Sequence, residues 1–401
     1  MKREIIVNVT NNEIKIAILD NNTLIDLFID RLPSYSNILN NIYKGKVKNI
    51  IPALNAAFVD IGYKQNAYLH IENTHNIYVG QEVLVQVYKD AIGAKCPKIT
   101  KNIIIPGRFL IYIPFDIGVT ISKKIKGSIR TTLLNSILKL QKISSIQGKL
   151  IIRTSSQQAS LTEIECELHY LVNIWRSVLH KFQYVHSSGV LYEDFNILIK
   201  VIRDYYSNNI AIIHIDSKEI FLNTKKYLKD VKSKLYSKVV SYKNTNVPIF
   251  KAYNIEKDIN KLYSKKVELH SGGYLMIEEL EYLSVIDVNS GKFTSKLIQE
   301  DTALHTNLEA TKEIARQIRL RNIGGIIIID FIDMKKLINR TVVFNQLCKY
   351  TKTDRVKIKI WPITRLGLIE MTRARKRKSL LSVLNMMLCT KCHGTGLLLS
   401  D

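Results

Sequence analysis

Two apolar runs that each end in an acid, with a helical pattern between them, constrain this chain more than any other feature. The first is "YLSVIDVNSGKF", where Asp287 closes the run and Asn289 follows two residues on. The second is "IGGIIIIDFIDM", four isoleucines running into Asp330, with Asp333 three residues further. Between them, "HTNLEATKEIARQIRLRN" places Leu308, Ile314, Ala315 and Ile318 on one helical face, with Thr306 and Glu309 as a capping box and Gly324 and Gly325 as the stop. Strand, helix, strand in this length is a βαβ unit. Its right-handed crossover makes the strands parallel, so both acids emerge at the carboxyl edge where α/β sheets place their ligands. Parallel strands are buried on both faces, which predicts Ile326 to Ile329 as a doubly buried strand.

Neighbouring strands lie about 4.8 Å apart. At that spacing two carboxylates can share one Mg²⁺ at about 2.1 Å from each oxygen, with waters and a substrate phosphate completing the shell. Asn289 points to the same side as Asp287 by period-two alternation, placed to orient that carboxylate or to hold a metal-bound water. The opposing reading is that each acid caps a helix or pairs with a lysine. Asp333 lies past the strand, in the following turn, and takes no assigned role.

The rest of the chain says what such a site would face. The balance of 59 Lys+Arg against 35 Asp+Glu, a net charge of +24 over 401 residues, favours a polyanionic partner, nucleic acid ahead of an anionic membrane. No apolar run approaches the roughly 20 residues that span a bilayer. The opening "MKREIIVNVTNNE" has neither the apolar run of a signal peptide nor the acid-poor composition of a transit peptide. Five scattered cysteines do not make a secreted disulfide framework, and a reducing interior is expected. The wealth of Ile, Lys, Asn and Tyr is that of an A/T-biased genome, so the location of the basic residues matters more than their number.

Along the chain, "EIIVNVT", "EIKIAILD" and "TLIDLFID" read as a three-strand meander with Asn-rich turns. The stretch from Tyr43 through "VGQEVLVQVYKD" reads as a five-stranded barrel of the OB type, whose strand face stacks single-stranded nucleic acid on aromatics. Phe58 and Tyr68 are its candidate platforms and Lys95 and Lys98 its phosphate contacts; the alternative puts Phe58 in the barrel core and the lysines on a solvated face. "SKKIKGSIRTTLLNSILKL" reads as a helix, "GKLIIRTS" as a strand, and "SLTEIECELHYLVNIWRSVLHKF" as a long amphipathic helix capped by Ser160 and Glu163. "NILIKVIRDY" and "NIAIIHID" read as strands that complete the opening sheet, making Tyr43 to about Ile99 an insertion. Near the end, "RARKRK" is strongly basic. "CTKCHGTG" then carries Cys389 and Cys392 at the spacing of a zinc knuckle, half of a tetrahedral site. His393 as a third ligand, a Cys₄ site on the axis of a dimer, and redox or incidental cysteines are all open.

Taken together, "AAFVDIG", "LIIRTS", "VIDVNSGKF", "TNLEATKEIARQIRLRNIGGIIIIDFIDM", "RLGLIEMTRARKR" and "CTKCHGTG" resemble the catalytic half of the ribonuclease E/G family of endoribonucleases, in family order from about residue 4 to 396. The block from Thr306 to Met334 is the most specific part. The resemblance implies an α/β multidomain protein: a ribonuclease-H-like subdomain in two parts (1–36 and 199–262), an inserted OB-fold barrel of the ribosomal S-one type (37–102), a 5′-sensor region (103–198), a deoxyribonuclease-I-like α/β catalytic subdomain (263–384) and a zinc-link (385–401). It implies Mg²⁺-dependent, single-strand-selective cleavage of A/U-rich RNA, leaving 5′-phosphate ends, stimulated by a 5′ monophosphate and serving rRNA or mRNA processing and decay.

Residue by residue, the resemblance makes Asp287 and Asp330 the magnesium ligands, with Asn289 beside them. It makes Arg153 and Thr154 the 5′-phosphate sensor and Phe58 and Tyr68 the aromatic contacts. Cys389 and Cys392 become a zinc pair shared between two subunits of a homodimer or higher homo-oligomer. Cys96 departs from the pattern, standing where a Gly is expected after Lys95, which bears on the roles of Lys95 and Lys98. The sequence ends soon after the zinc-link motif, so the small dimerising domain and scaffold tail of the long members are expected to be absent. The composition and short form look like a plastid-encoded protein of the chloroplast stroma, with the cytoplasm of an A/T-rich bacterium as the alternative. A competing function is an RNA-binding assembly factor that keeps the fold without activity.

Overall fold

The computed structural model describes residues 3–31, 38–71, 77–90, 96–143, 146–194, 197–205, 210–244, 246–280, 282–291, 299–364, 366–375, 379–383, 390 and 392. The chain forms two compact units, one of residues 1–9, 14–29 and 242–401, the other of residues 10–13 and 30–241.

The first unit is built on a six-stranded mixed sheet in the spatial order Lys266–Glu268, Tyr274–Glu279, Leu283–Asn289, Gly325–Asp330, Leu368–Arg373, Ile358–Ile360. Leu283–Asn289 and Gly325–Asp330 are parallel neighbours joined through the helix Gln299–Leu320, as the βαβ pattern predicts. One face of the sheet, carrying Leu275, Ile277, Ile286, Val288, Ile327, Ile329, Ile369 and Met371, packs against Ile314 and Ile318 of that helix and Val343 and Leu347 of the helix Leu337–Thr351.

Two expectations for this region need correction. The strand is buried on one face only: Ile327 and Ile329 are fully covered, but Ile326 is 51% exposed. Both helices pack on the same side, so the alternate residues face outward within this unit. The helix is also already formed at Gln299, seven residues before the expected cap. Thr306 is therefore mid-helix and fully buried, its hydroxyl donating to the Thr302 carbonyl (3.0 Å), and no capping box forms there. The polar turn "QEDT" hid this part of the helix because it carries no apolar periodicity. At the other end Asn322, with φ of 51°, takes the left-handed position that ends the helix, and the Ile323 N–H reaches back to the Ile318 carbonyl (3.0 Å).

The opening meander forms as expected from Arg3–Val9, Glu13–Asp20 and Thr23–Arg31. Asn21 and Asn22 both take positive φ at its tight turn, a conformation asparagine tolerates well. Its Ile6, Leu24 and Leu27 pack with Ile249, Phe250, Ile255 and Leu320 from late in the chain.

In the second unit, five strands close into a barrel: Ile42–Ile51 pairs with Ala56–Asp60, which pairs with Ala67–His70; Lys98–Thr100 joins the latter to Glu82–Lys89, which returns to Ile42–Ile51. This closed, five-stranded ring is consistent with an OB fold. Val47, Ala57, Val59, Ala67, Leu69, Val85 and Ile99 fill it. The strand Gly189–Tyr192 pairs with the outside of Ile42–Ile51. Beyond the barrel, a four-stranded sheet in the order Gly118–Ile121, Lys149–Ile152, Leu110–Ile113, Ile105–Pro106 shares a core with the helices Ser128–Ile143 and Leu161–Tyr184. The second helix has the complete Ser160–Glu163 capping box. Ile210–Ile215 is a strand as expected, but "NILIKVIRDY" is the helix Ile197–Tyr205. Leu198, Val201 and Ile202 are buried at helical spacing, whereas the β-branched run had suggested a strand.

Candidate functional site

Asp287 and Asp330 are direct partners in the parallel ladder, so their Cα atoms stand side by side. Alternation puts Asp287, Asn289 and Asp330 on the sheet face opposite the helices, the two acids at the carboxyl ends of their strands. The Asn289 amide donates to Asp287 Oδ2 at 2.6 Å. Burial, followed by the negative charges of Asp287 and Asp333, pushes the Asp330 carboxyl above its ordinary value. Among the described residues neither Asp287, Asp330 nor Asp333 pairs with a basic side chain, although the chain carries 59 of them. Lysine pairing is thus not what these carboxylates do within the described structure.

Crowded carboxylates with no basic partner among the described residues suit a hard cation, and a set made only of oxygen donors matches Mg²⁺, which takes one or two protein carboxylates and keeps its waters. Among the described residues no group of three or more His, Cys, Asp or Glu is placed to hold a metal, so any ion at the pair would rely on water and substrate for the rest of its shell.

The helix Gln299–Leu320 fixes the segment after Asp330 at two points that local sequence does not reveal. Fully buried Asn307 clamps Ile332, its amide donating to the Ile332 carbonyl (2.8 Å) and its oxygen accepting the Ile332 N–H (3.0 Å). Glu300 accepts the N–H groups of Lys335 (2.9 Å) and Lys336 (3.1 Å), which hold its carboxyl below the usual range. Glu309, expected in a cap, instead accepts the N–H groups of His270 and Ser271 in the turn before Tyr274–Glu279. Gly291 needs its glycine: φ is 58°, and a Cβ there would sit 2.5 Å from the Gly272 carbonyl. These contacts shape the rim of the acid-bearing edge, where Tyr274 pairs with Asn289.

On the barrel, Phe58 and Tyr68 are cross-strand partners outside the core, half-buried, with ring centroids 6.2 Å apart and planes at 80°. Lys98 pairs with Tyr68 in the next strand, and its ammonium lies 5.3 Å from the Tyr68 ring centroid. The three form one surface cluster of two rings and a cation. Lys95 lies outside the described residues, and Cys96 is half-buried.

Arg153 directly follows the strand Lys149–Ile152. Its guanidinium donates to the Gly107 carbonyl (2.6 Å) and to Asp204 Oδ1 (3.2 Å), and Thr154 beside it is exposed. The turn beneath is held by Glu167, a fully buried carboxylate that accepts the N–H groups of Arg108 (2.5 Å), Phe109 (2.6 Å) and Leu110 (2.9 Å). Burial pushes its carboxyl up, and the three N–H bonds pull against that. A Cβ on Gly107 would come within 2.8 Å of the Glu167 carboxyl carbon, so glycine is required for the close approach. Glu167 and Asp204 were not foreseen, because partners more than 50 residues apart leave no local pattern. Cys392 is half-buried; Cys389 and His393 lie outside the described residues. Among the described residues no helix is long and apolar enough to cross a membrane.

Comparison with known proteins follows the same lines. The model of the ribonuclease E/G family matches residues 104–376. Ribonuclease G of Haemophilus influenzae is 36% identical over 98% of this chain and 83% of its own length. Ribonuclease G of Escherichia coli K12 is 34% identical over 99% of this chain and 84% of its own length. Ribonuclease E of Haemophilus influenzae is 35% identical over 99% of this chain but 44% of its own length.

Proposed function

The chain belongs to the ribonuclease E/G family, and on that premise we propose how it works: a Mg²⁺-dependent, single-strand-selective endoribonuclease that cuts A/U-rich RNA and is stimulated by a 5′ monophosphate. It is an endoribonuclease, hydrolysing RNA phosphodiester bonds in RNA processing and decay. The observation that carries the finer reading is the pair of register-matched acids with no basic partner among the described residues.

Asp287 and Asp330 would hold the magnesium ion. Bound there, it supplies neutralisation of the scissile phosphate and a water of lowered pKa. The Asn289 amide occupies Asp287 Oδ2, which fixes the orientation of that carboxylate. Asn307 and Glu300 hold the segment behind Asp330, so the acid pair is set by α/β framework rather than by a mobile loop. Phe58 and Tyr68 stack bases while Lys98 meets backbone phosphate, an arrangement that favours single strands because paired bases do not offer their faces. Arg153 and Thr154 receive the 5′ phosphate. Lys95 is part of the same proposal for the barrel.

The proposed subdomains are those the resemblance implies, with the barrel inserted into a ribonuclease-H-like part and the acid pair in a deoxyribonuclease-I-like part. Cys389 and Cys392 supply two thiolates, half of a tetrahedral zinc set, which a second subunit would complete in a homodimer or higher homo-oligomer. The bacterial sources of the relatives fit a bacterial cytoplasm, and the A/T-biased composition is what supports a plastid.

The test is cleavage of a 5′-monophosphorylated A/U-rich RNA with and without Mg²⁺. Asp287→Asn and Asp330→Asn are expected to abolish cleavage and to leave RNA binding largely intact. Full Mg²⁺-dependent activity in the double substitution would remove the acid pair from the chemistry, and inactivity of the unaltered protein would favour an assembly factor.

A further inference from the structure

Arg153 does not present an open guanidinium. One arm donates to the Gly107 carbonyl, and the other is paired with the Asp204 carboxylate at 3.2 Å. Asp204 comes from a different element, the helix Ile197–Tyr205, and the pair lines a cavity of about 310 Å³ together with Tyr88, Thr100, Asn102 and Ile104. Both partners keep substantial exposure, 31% for Arg153 and 41% for Asp204, so an anion arriving from solvent reaches the pair directly.

Asp204 also has a second cation. Its Oδ1 lies 3.4 Å from Nε of Arg203, a guanidinium only 7% exposed that is anchored on the Pro106 carbonyl (3.0 Å) and lies 3.7 Å from buried Asp194. Arg203 is thus fixed whether or not Arg153 is engaged. A carboxylate shared between a fixed, buried cation and a half-exposed one can give up the exposed one without being stranded. That is the arrangement of a displaceable counter-ion.

We propose that Asp204 is an internal competitor for the phosphate-binding arm of Arg153, so that a terminal phosphate monoester binds by taking Arg153 from Asp204 while Asp204 falls back on Arg203. This rests on the reading of Arg153 as the 5′-phosphate contact. A phosphate monoester carries nearly two charges and three oxygens, and a diester in the RNA backbone carries one charge. A carboxylate of one charge already in place therefore weakens the hold of Arg153 on a terminal phosphate, whereas a 5′ hydroxyl brings no anion to that arm and is unaffected.

The opposite role, in which Asp204 orients Arg153 for its ligand, predicts the opposite sign. Binding of short single-stranded A/U-rich RNA with a 5′ phosphate or a 5′ hydroxyl, followed by fluorescence anisotropy on the whole protein, separates the two. Expressed as the ratio of the two affinities, Asp204→Asn is expected to raise the preference for the 5′ phosphate about two- to fivefold, the Boltzmann factor of one exposed ion pair. The gain should shrink as salt rises. An unchanged or lowered ratio overturns the proposal. If Asp204→Asn does not fold, Asp204→Ser removes the same charge and is read the same way. Arg153→Ala tests the underlying reading: collapse of the ratio to one leaves that reading standing whatever Asp204→Asn shows, and a ratio that survives overturns the reading and the proposal together.

Discussion

Replacing Asp330 with asparagine should make the metal-free protein more stable while removing its activity. The two register-matched acids belong to strands about 4.8 Å apart, and two unit charges at that spacing repel by about 0.9 kcal/mol in water and about 3.5 kcal/mol at an effective dielectric constant of 20. Asp330 is exposed and Asp287 half-buried, so the screened end of that range applies and the relief is about 1 kcal/mol. In a unit of this size that raises the melting temperature by about 2–4 °C.

The pH dependence has a definite sign. The folded protein holds the Asp330 proton more tightly than the unfolded chain does, because burial and the charges of Asp287 and Asp333 raise its pKa from the ordinary 3.8. Stability is therefore lost as pH rises from the ordinary carboxylate range through the folded pKa. The advantage of asparagine should be full at neutral pH and should vanish below about pH 3.8, where Asp330 is protonated in both the folded and the unfolded chain. Adding Mg²⁺ should reverse the order, since an ion at a hundredfold excess over its dissociation constant stabilises the unaltered protein by about 2.7 kcal/mol and the variant by much less. Thermal melts with chelator and with Mg²⁺, at several pH values, read all of this. A metal-free variant that melts below the unaltered protein at pH 7, or equal Mg²⁺ shifts in both, would refute the reasoning.

Three further outcomes are expected. Glu167→Gln turns an amide NH₂ toward one of three buried N–H donors, which should cost about 2–3 kcal/mol in chemical denaturation and weaken the 5′-phosphate preference, because the Gly107 carbonyl under Arg153 shifts with the turn. Phe58→Ala and Tyr68→Ala should each raise KM for single-stranded RNA by the loss of about 1–3 kcal/mol of stacking, with kcat changed far less. Asn307→Leu should leave both the Ile332 N–H and its carbonyl without a partner and lower the apparent Mg²⁺ affinity in cleavage assays, an effect partly recovered at high Mg²⁺.

The parts of this protein that could be read in advance are those where one local pattern determines the answer. Alternation and turn residues gave the meander and the barrel. The apolar runs flanking a helical stretch gave the parallel pair, and hence the juxtaposition of Asp287 and Asp330. Errors fell where the pattern was weak or ambiguous. The polar turn at Gln299 concealed two turns of a helix ahead of Thr306, and the β-branched residues of Ile197–Tyr205 suggested a strand where burial at helical spacing won. Ile326 is exposed although it is part of the most apolar run in the chain, because sequence does not say on which side of a sheet its helices will pack. Glu167, Asn307, Arg203 and Asp204 act through partners that are near only after folding. Buried polar groups of this kind are constrained by satisfaction of hydrogen bonds across the fold, which no window of residues records.

The meander at the start of the chain shares its core with Ile249, Phe250 and Leu320, and the Leu24 carbonyl accepts from Arg316. During synthesis these first strands leave the ribosome with most of their packing partners still unmade. At about 5–20 residues per second, the helix that carries Arg316 and Leu320 follows some 15–60 s later. Strands of this kind gain stability by packing a hydrophobic face against helices, which here are made later. The amino-terminal ribbon therefore waits for the partners that follow near residue 250, and its core is completed only when Leu320 and Leu380 arrive from the last third of the polypeptide.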